Sequence, residues 1–191
     1  MNRSAVFAAF AVCGAMLGAC TREAEAPADD NLVANSAEVA PPPSDIMIAG
    51  ADGASLGTLE VSQGAAGVTI TLAATGMPAG VHGVHLHEKG VCEGPKFVSA
   101  GAHWNPAGKQ HGRDNPQGSH LGDLANLDVT TSGSASGSFS IPGAAMRGGS
   151  APLADADGTA IVVHAKPDDY KTDPSGASGD RIACAVIAAP E

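Results

Sequence analysis

The chain has 191 residues and a net charge of -10, with ten basic and twenty acidic residues. This length suits one domain together with a processed N-terminus. The strong negative charge makes nucleic acids and anionic membrane surfaces poor partners for the domain. Aromatic residues make up only 3% of the chain, so the core must be built from Val, Ile, Leu and Ala.

Residues 1–19 are typical of an export signal. Arg3 provides the charged start, and residues 5–17 form an apolar stretch that is too short for a membrane span. The small residues before Cys20 resemble a bacterial lipobox, in which this cysteine is lipidated and becomes the new N-terminus. An ordinary secretory signal, with Cys20 incidental, is the alternative. We favour the lipoprotein, and Thr21 after the cysteine points to the outer membrane.

Residues 20–44 follow as the lipidated cysteine and a tether of different composition. Alanine, acidic residues and Pro41–Pro43 dominate, and apolar residues show no period. Such a composition predicts a disordered linker that holds the domain away from the membrane. The folded domain is therefore expected at residues 45–191.

Short strands separated by turns are predicted from residue 45 onward. In Val68–Leu72 apolar and polar residues alternate, which gives a strand one apolar face. Eight segments have strand character: 46–48, 56–61, 68–72, 81–87, 124–129, 136–141, 159–164 and 181–187. None has a long helical period, so we expect an all-β fold, an antiparallel sandwich or flattened barrel.

Residues 88–123 and 165–180 fit neither strands nor helices. Long loops without secondary structure in a compact domain are usually functional. Both segments carry charged residues, and the first also carries histidines. We therefore expect two long functional loops.

Six of the seven histidines and one aspartate have spacings that suit two neighbouring metal sites. His85 and His87 are separated by one residue, so both point to the same side of a strand. His120 and Asp123 lie three apart across a glycine and can converge on a second ion. Imidazole nitrogen suits copper and zinc, and one carboxylate gives no reason to prefer calcium or magnesium. His82 points away from His85, and we assign it a structural role.

The motifs resemble those of the copper/zinc superoxide dismutases, in particular the exported bacterial branch. The resemblance runs from about Asp45 to the C-terminus. It is carried by His85-Leu86-His87, Gly101–Pro106, His111-Gly112, His120–Leu124, Val162–His164 and Gly179–Cys184. It implies an eight-stranded Greek-key barrel, superoxide as the substrate, and one copper and one zinc ion per subunit.

The same resemblance implies the ligands. Copper would be held by His85, His87, His103 and His164. Zinc would be held by His103, His111, His120 and Asp123. His103 would bridge both ions as an imidazolate, which two flanking cations make feasible. The zinc set is closed and therefore structural, whereas the copper set leaves an axial approach open.

Three further assignments follow from the resemblance, and the first two have an alternative. Asp168 would connect His111 to His85, with neighbouring Asp169 as the alternative. Arg181 would guide the anionic substrate, and the alternative is a solvent-exposed arginine. His103 would deliver a proton to the product.

The two cysteines of the folded domain are expected to form a disulfide. Cys92 and Cys184 are an even pair in an exported chain, and two buried free thiols are the alternative. We expect an enzyme of the periplasm or cell envelope that contacts the membrane only through its anchor. A homodimer is considered, without assigned contacts. A non-catalytic copper/zinc binding or delivery protein on the same fold, and a structural envelope domain holding only zinc, are the rival functions.

Overall fold

The computed structural model describes residues 45–191, so the predicted export signal, Cys20 and the tether lie outside the described residues. The described part contains nine β-strands and one short 3₁₀ helix, Val98–Ala100. The strands are β1 (Ile46–Gly50), β2 (Ser55–Gly64), β3 (Gly67–Ala74), β4 (Gly80–His82), β5 (Val84–His87), β6 (Leu127–Val129), β7 (Ala135–Pro142), β8 (Thr159–His164) and β9 (Arg181–Ala188). No helix in residues 45–191 is long and apolar enough to cross a membrane.

Seven strands form one curled antiparallel sheet in the order β5-β8-β9-β1-β2-β3-β7. Strands β4 and β6 pair with each other in a separate two-stranded ladder. Only Gly83 separates β4 from β5, and β6 lies beside β7. The small ladder therefore closes the curled sheet, and the pairing of β3 with β7 and β5 with β8 requires the long connections of a Greek key. The predicted all-β, antiparallel fold is confirmed.

The strand count differs by one because the predicted segment 81–87 is interrupted at Gly83. Gly83 donates its N–H to the Lys166 carbonyl at 2.8 Å and accepts from the His164 N–H at 2.8 Å. A side chain at this position would contact Ser178 and the backbone of Asp168. The chain therefore leaves one ladder at Gly83 and enters another, with the last loop packed against the junction.

The apolar residues form two clusters on opposite sides of β8 and β9. The larger fills the barrel with residues such as Ile48, Leu72, Val84 and Ile161. The smaller lies outside the sheet, beneath the segment that contains the 3₁₀ helix. It consists of Phe97, Ala100, Ala160, Val162 and Cys184, with Cys92 packed against it. The small cluster holds the first long loop against the outer face of the barrel.

Cys92 and Cys184 form a disulfide, with their Cα atoms 5.7 Å apart. The expected pairing is confirmed. The bond joins the first long loop to β9, whose first residue is Arg181. The first long loop is therefore joined covalently to the strand that follows the second long loop.

Candidate metal centre

Four histidines form a group at the edge of the barrel. His85 and His87 lie on β5, His164 ends β8, and His103 comes from the first long loop. An antiparallel bridge between His87 and His103 fixes the loop against the strand edge. One nitrogen of each ring lies within 4.8 Å of those of the other three. All four residues are buried.

Each of these histidines has one buried ring nitrogen without a hydrogen-bond partner. The atoms are His85 Nδ1, His87 Nε2, His103 Nε2 and His164 Nε2. An unpaired buried polar atom is costly, and four that converge on one point need a common partner. A cation that prefers imidazole nitrogen satisfies all four, and four nitrogens suit Cu(II).

The remaining nitrogens of three of these rings face acceptors that fix the ring orientation. His87 Nδ1 lies 3.0 Å from the Gly101 carbonyl, and His164 Nδ1 lies 3.2 Å from the Gly179 carbonyl. His85 Nε2 lies 2.9 Å from Asp168 Oδ2. Metal-binding histidines normally donate their second N–H in this way. The unpaired nitrogens are therefore the ones free to bind an ion.

A second group of donors surrounds Asp123. Its Oδ1 atom lies 3.1 Å from His103 Nδ1 and 3.0 Å from the Nδ1 atoms of His111 and His120. A tetrahedral zinc site with bonds of about 2.0–2.1 Å has donor–donor separations of roughly 3.3 Å, close to these distances. The donor atoms that lie within 4.8 Å of one another here belong to His85, His103, His111 and Asp123, and His120 is not among them. Because His85 Nε2 faces Asp168 and His85 Nδ1 belongs to the first group, His120, with its Nδ1 atom 3.0 Å from Asp123 Oδ1, is the better fourth donor.

His103 belongs to both groups. Its Nδ1 atom faces Asp123, and its Nε2 atom is one of the four unpaired nitrogens. Its ring stacks on that of His85, with centroids 4.0 Å apart. One imidazole can therefore contact two ions, one through each nitrogen.

Asp168 connects the two groups from behind. Its Oδ1 atom lies 2.9 Å from His111 Nε2, and its Oδ2 atom lies 2.9 Å from His85 Nε2. Asp169, the alternative considered from the sequence, is exposed and accepts from the N–H groups of Lys171 and Thr172 instead.

The protonation states of the first group suit metal binding. Burial, reinforced by neighbouring positive groups, lowers the pKa of His87 to about 2 and that of His164 to about 3. Burial lowers the pKa of His103 to about 4, although its hydrogen bond to Asp123 opposes the shift. These imidazoles are neutral near pH 7, which is the form that binds a metal.

In the second group, hydrogen bonds outweigh burial in setting the pKa values. Burial would lower the pKa of His111, but hydrogen bonds to Asp123 and Asp168 outweigh it and raise the pKa to about 9. Burial would raise the pKa of each carboxyl, yet hydrogen bonds from the histidines hold both values well below the usual range. The two carboxylates are therefore negative, and they compensate positive charge at this end of the centre.

Arg181 lies at the mouth of the first group. Its guanidinium donates to the Phe97 carbonyl at 2.6 Å and to the Gly101 carbonyl at 2.7 Å. With His87, His103 and His164 it lines an open pocket of about 310 Å³. A small anion that enters this pocket therefore meets the guanidinium beside three of the four histidines.

Several contributors were not predicted from the sequence. The Gly101 and Gly179 carbonyls orient ligand histidines, and Asp173 accepts the His111 N–H at 2.6 Å. Backbone carbonyls carry no sequence signal, and Asp173 is one of several acidic residues in its loop. His82, excluded from the metal set, places its ring nitrogens against the carbonyls of His164 and Pro78.

The fold and the site together define a β-barrel metalloprotein with a two-ion centre built from histidines. The sequence model for copper/zinc superoxide dismutase matches residues 55–187. The chain belongs to the copper/zinc superoxide dismutase family, whose members bind copper and zinc. The two donor groups described above fit both ions.

Individual relatives agree with this membership. "Superoxide dismutase [Cu-Zn]" of Caulobacter vibrioides is 42% identical over 144 residues, which cover 74% of this chain and 83% of that protein. "Superoxide dismutase-like protein YojM" of Bacillus subtilis is 37% identical over 145 residues and covers 74% of each chain.

Solved structures show the same fold. A double mutant of a SOD-like protein from Bacillus subtilis has a TM-score of 0.72 at 38% identity, covering 75% of this chain and 96% of that chain. The Cu/Zn superoxide dismutase from Brucella abortus has a TM-score of 0.60 at 26% identity, covering 75% and 98%.

Proposed function

We propose that this protein converts two superoxide ions and two protons into dioxygen and hydrogen peroxide. The observation that carries the proposal is the set of four buried, unpaired nitrogens, because three of their histidines line a pocket together with Arg181. Copper bound there would supply the one-electron oxidation and reduction. Zinc held by His103, His111, His120 and Asp123 would stabilise the loop that carries these ligands.

The remaining steps belong to residues of the chain. Arg181 draws the anion into the pocket and orients it through a guanidinium that stays charged. His103 lines the pocket, so its ring would be placed to take up a proton and pass it to the departing peroxide. Asp168 and the Gly101 and Gly179 carbonyls hold three other rings in the orientation that binding requires.

A non-catalytic copper/zinc binding or delivery protein is the rival function. The Bacillus subtilis relative is named "superoxide dismutase-like", and this name is a reason to test the rival function. Here the four copper-set histidines are grouped, the three zinc-set histidines surround Asp123 Oδ1, and Arg181 lines a pocket with three of the copper-set histidines. A protein that only stores or transfers metal has no need of a guanidinium at the pocket mouth.

Metal analysis of two variants tests the proposal. The wild type should contain copper and zinc and consume superoxide. His87→Ala should abolish this activity and keep zinc, because His87 belongs only to the copper set. Asp123→Ala should lower zinc content and stability, because it removes the oxygen shared by three histidines. An active His87→Ala protein, or an inactive wild type with both metals bound, would refute the assignment.

We further propose that the chain is exported to the cell envelope, with residues 1–19 as signal, 20–44 as tether and 45–191 as catalytic domain. The charged start and apolar stretch support export, and the Cys92–Cys184 disulfide supports an oxidising compartment. Lipidation of Cys20 and outer-membrane sorting belong to the same proposal. The homodimer stays a prediction that analytical ultracentrifugation can test.

Cell fractionation checks the anchor. Cys20→Ser should move the protein from the membrane fraction to the soluble fraction without changing its specific activity, because residue 20 lies before the catalytic domain. Mass spectrometry of the wild type should find an acylated N-terminal cysteine. A soluble, unacylated wild type would contradict the lipoprotein proposal.

A further inference from the structure

Tyr170 contacts three segments that converge behind the metal centre. Its backbone N–H donates to Asp168 Oδ1 at 2.7 Å, and its hydroxyl oxygen accepts from the Asn126 N–H at 2.8 Å. Its carbonyl accepts from the Asp114 N–H at 2.9 Å. The guanidinium carbon of Arg113 lies 3.7 Å from the centre of its ring. The left-handed backbone at Tyr170, with φ of 58°, aims these groups in different directions.

Asn126 reinforces the contact with Asp168. It follows the zinc-set residue Asp123 by three positions. Its side chain accepts from the Asp168 N–H at 2.9 Å and donates to the Asp168 carbonyl at 3.0 Å. The Tyr170 hydroxyl therefore binds the backbone of Asn126, and the side chain of Asn126 binds the backbone of Asp168.

Arg113 connects Tyr170 to the other zinc-set segment. It follows His111 by two positions, and Gly112 between them approaches Tyr170 so closely that a Cβ atom would overlap the Tyr170 carbonyl. An arginine over a tyrosine ring gains cation–π attraction at an exposed site. The segment that carries His111 is therefore pressed onto the segment that carries Asp168.

We propose that Tyr170, clasped by Arg113, is a positioning residue of the zinc site. It holds the backbones of the His111 and Asp123 segments against Asp168, whose carboxylate in turn orients His111 and His85. This role deepens the proposed function, since it rests on zinc binding at the second group. Tyr170 touches neither set of donors, so it acts only through Asp168, Asn126 and the flanking backbone.

Zinc release from the full-length protein tests the proposal. Tyr170→Phe keeps the ring over Arg113 and removes the acceptor of the Asn126 N–H. It should speed zinc transfer to a chelator by roughly two- to ten-fold, the effect of one net hydrogen bond. Arg113→Gln keeps Tyr170 and removes the cation, so it should speed release less, and Arg113→Lys should restore part of the loss. Arg147→Gln removes an exposed arginine far along the chain and is the matched control.

Cobalt in place of zinc separates positioning from general stability. The visible bands of Co(II) report ligand geometry, and they should shift in Tyr170→Phe but not in Arg147→Gln. The proposal would be overturned if both Tyr170→Phe and Arg113→Gln released zinc at the wild-type rate and showed the wild-type Co(II) bands. A lowered unfolding temperature with both readouts unchanged would also overturn it, because Tyr170 would then be only structural.

The outcome is separable from the proposed catalysis. A wild type that binds zinc and lacks superoxide activity, with shifted release and bands in the variants, would support the positioning role and refute the enzyme. A wild type that binds neither zinc nor cobalt would overturn both.

Discussion

Arg181 is held by neutral partners. Its guanidinium donates to the carbonyls of Phe97 and Gly101, so no part of its charge is neutralised by these contacts. The Gly101 carbonyl also faces His87 Nδ1 at 3.0 Å. One backbone oxygen therefore orients both a candidate copper ligand and the arginine at the pocket mouth.

Substitution of Arg181 should separate charge from geometry. Arg181→Gln should lower kcat/KM for superoxide by roughly ten-fold or more, because a local positive field raises the rate of anion capture. Arg181→Lys keeps the charge but loses the planar fork that spans two carbonyls. Its kcat/KM should therefore lie between those of the wild type and Arg181→Gln. Copper content should stay at the wild-type level in both variants. Full activity in Arg181→Gln would exclude a guiding role.

The backbone of the last long loop, residues 165–180, packs against a buried hydrogen bond. Gly176, with φ of 65°, lies against the contact between Asp168 and His111, and a Cβ atom there would overlap both side chains. Gly176 also accepts from the Asp169 N–H at 3.0 Å. The absence of a side chain at one position allows the loop to close over the centre.

Gly176→Ala should therefore weaken zinc binding by roughly 10- to 100-fold, the range for loss of a partner behind a metal ligand. Gly148→Ala is the matched control, since Gly148 has a similar φ of 70° and open space around it. It carries the same backbone strain without the overlap. Competition with a zinc chelator measures the difference, and equal affinities in the two variants would contradict this account of the loop.

The basic residues of the folded domain are grouped, but acidic residues accompany them. In residues 45–191 every basic residue except Arg147 lies within residues 88–123 or 165–181, and eight acidic residues lie in the same two ranges, so these ranges carry no net positive charge. The protein as a whole carries a net charge of -10, so its average field repels superoxide. Fast capture then depends on the guanidinium of Arg181 at the pocket and not on the net charge of the loops.

The rate should consequently fall as salt is added. Ions screen charges beyond about 10 Å at 0.1 M ionic strength, which weakens the attraction of Arg181 for an anion that approaches from solvent. Stopped-flow measurement of kcat/KM between low and physiological ionic strength checks this dependence. Arg181→Gln should show a weaker fall than the wild type. A wild-type rate that rises with salt would mean that repulsion by the whole molecule dominates.

The sequence by itself determined the parts that depend on local pattern. Alternation of apolar and polar residues in Val68–Leu72 and similar segments predicted the strands, because successive side chains in a strand point to opposite faces. The motifs predicted the family, and the even pair of cysteines in an exported chain predicted the disulfide. Spacing placed His85 and His87 on one strand face, since residues i and i+2 share a face wherever the strand lies, and the resemblance of the motifs named the full donor sets.

Only the tertiary structure decided the contacts between segments far apart in the chain. Arg181 and Phe97 are 84 positions apart, and the acceptor is a carbonyl that any residue could supply. Three other features also depend on contacts between distant segments. They are the hydrogen bonds of Asp168 in place of Asp169, the ring nitrogen that each histidine leaves unpaired, and the contacts of Tyr170. Each depends on how two loops pack against one barrel edge, and that packing brings together groups whose partners no local pattern specifies.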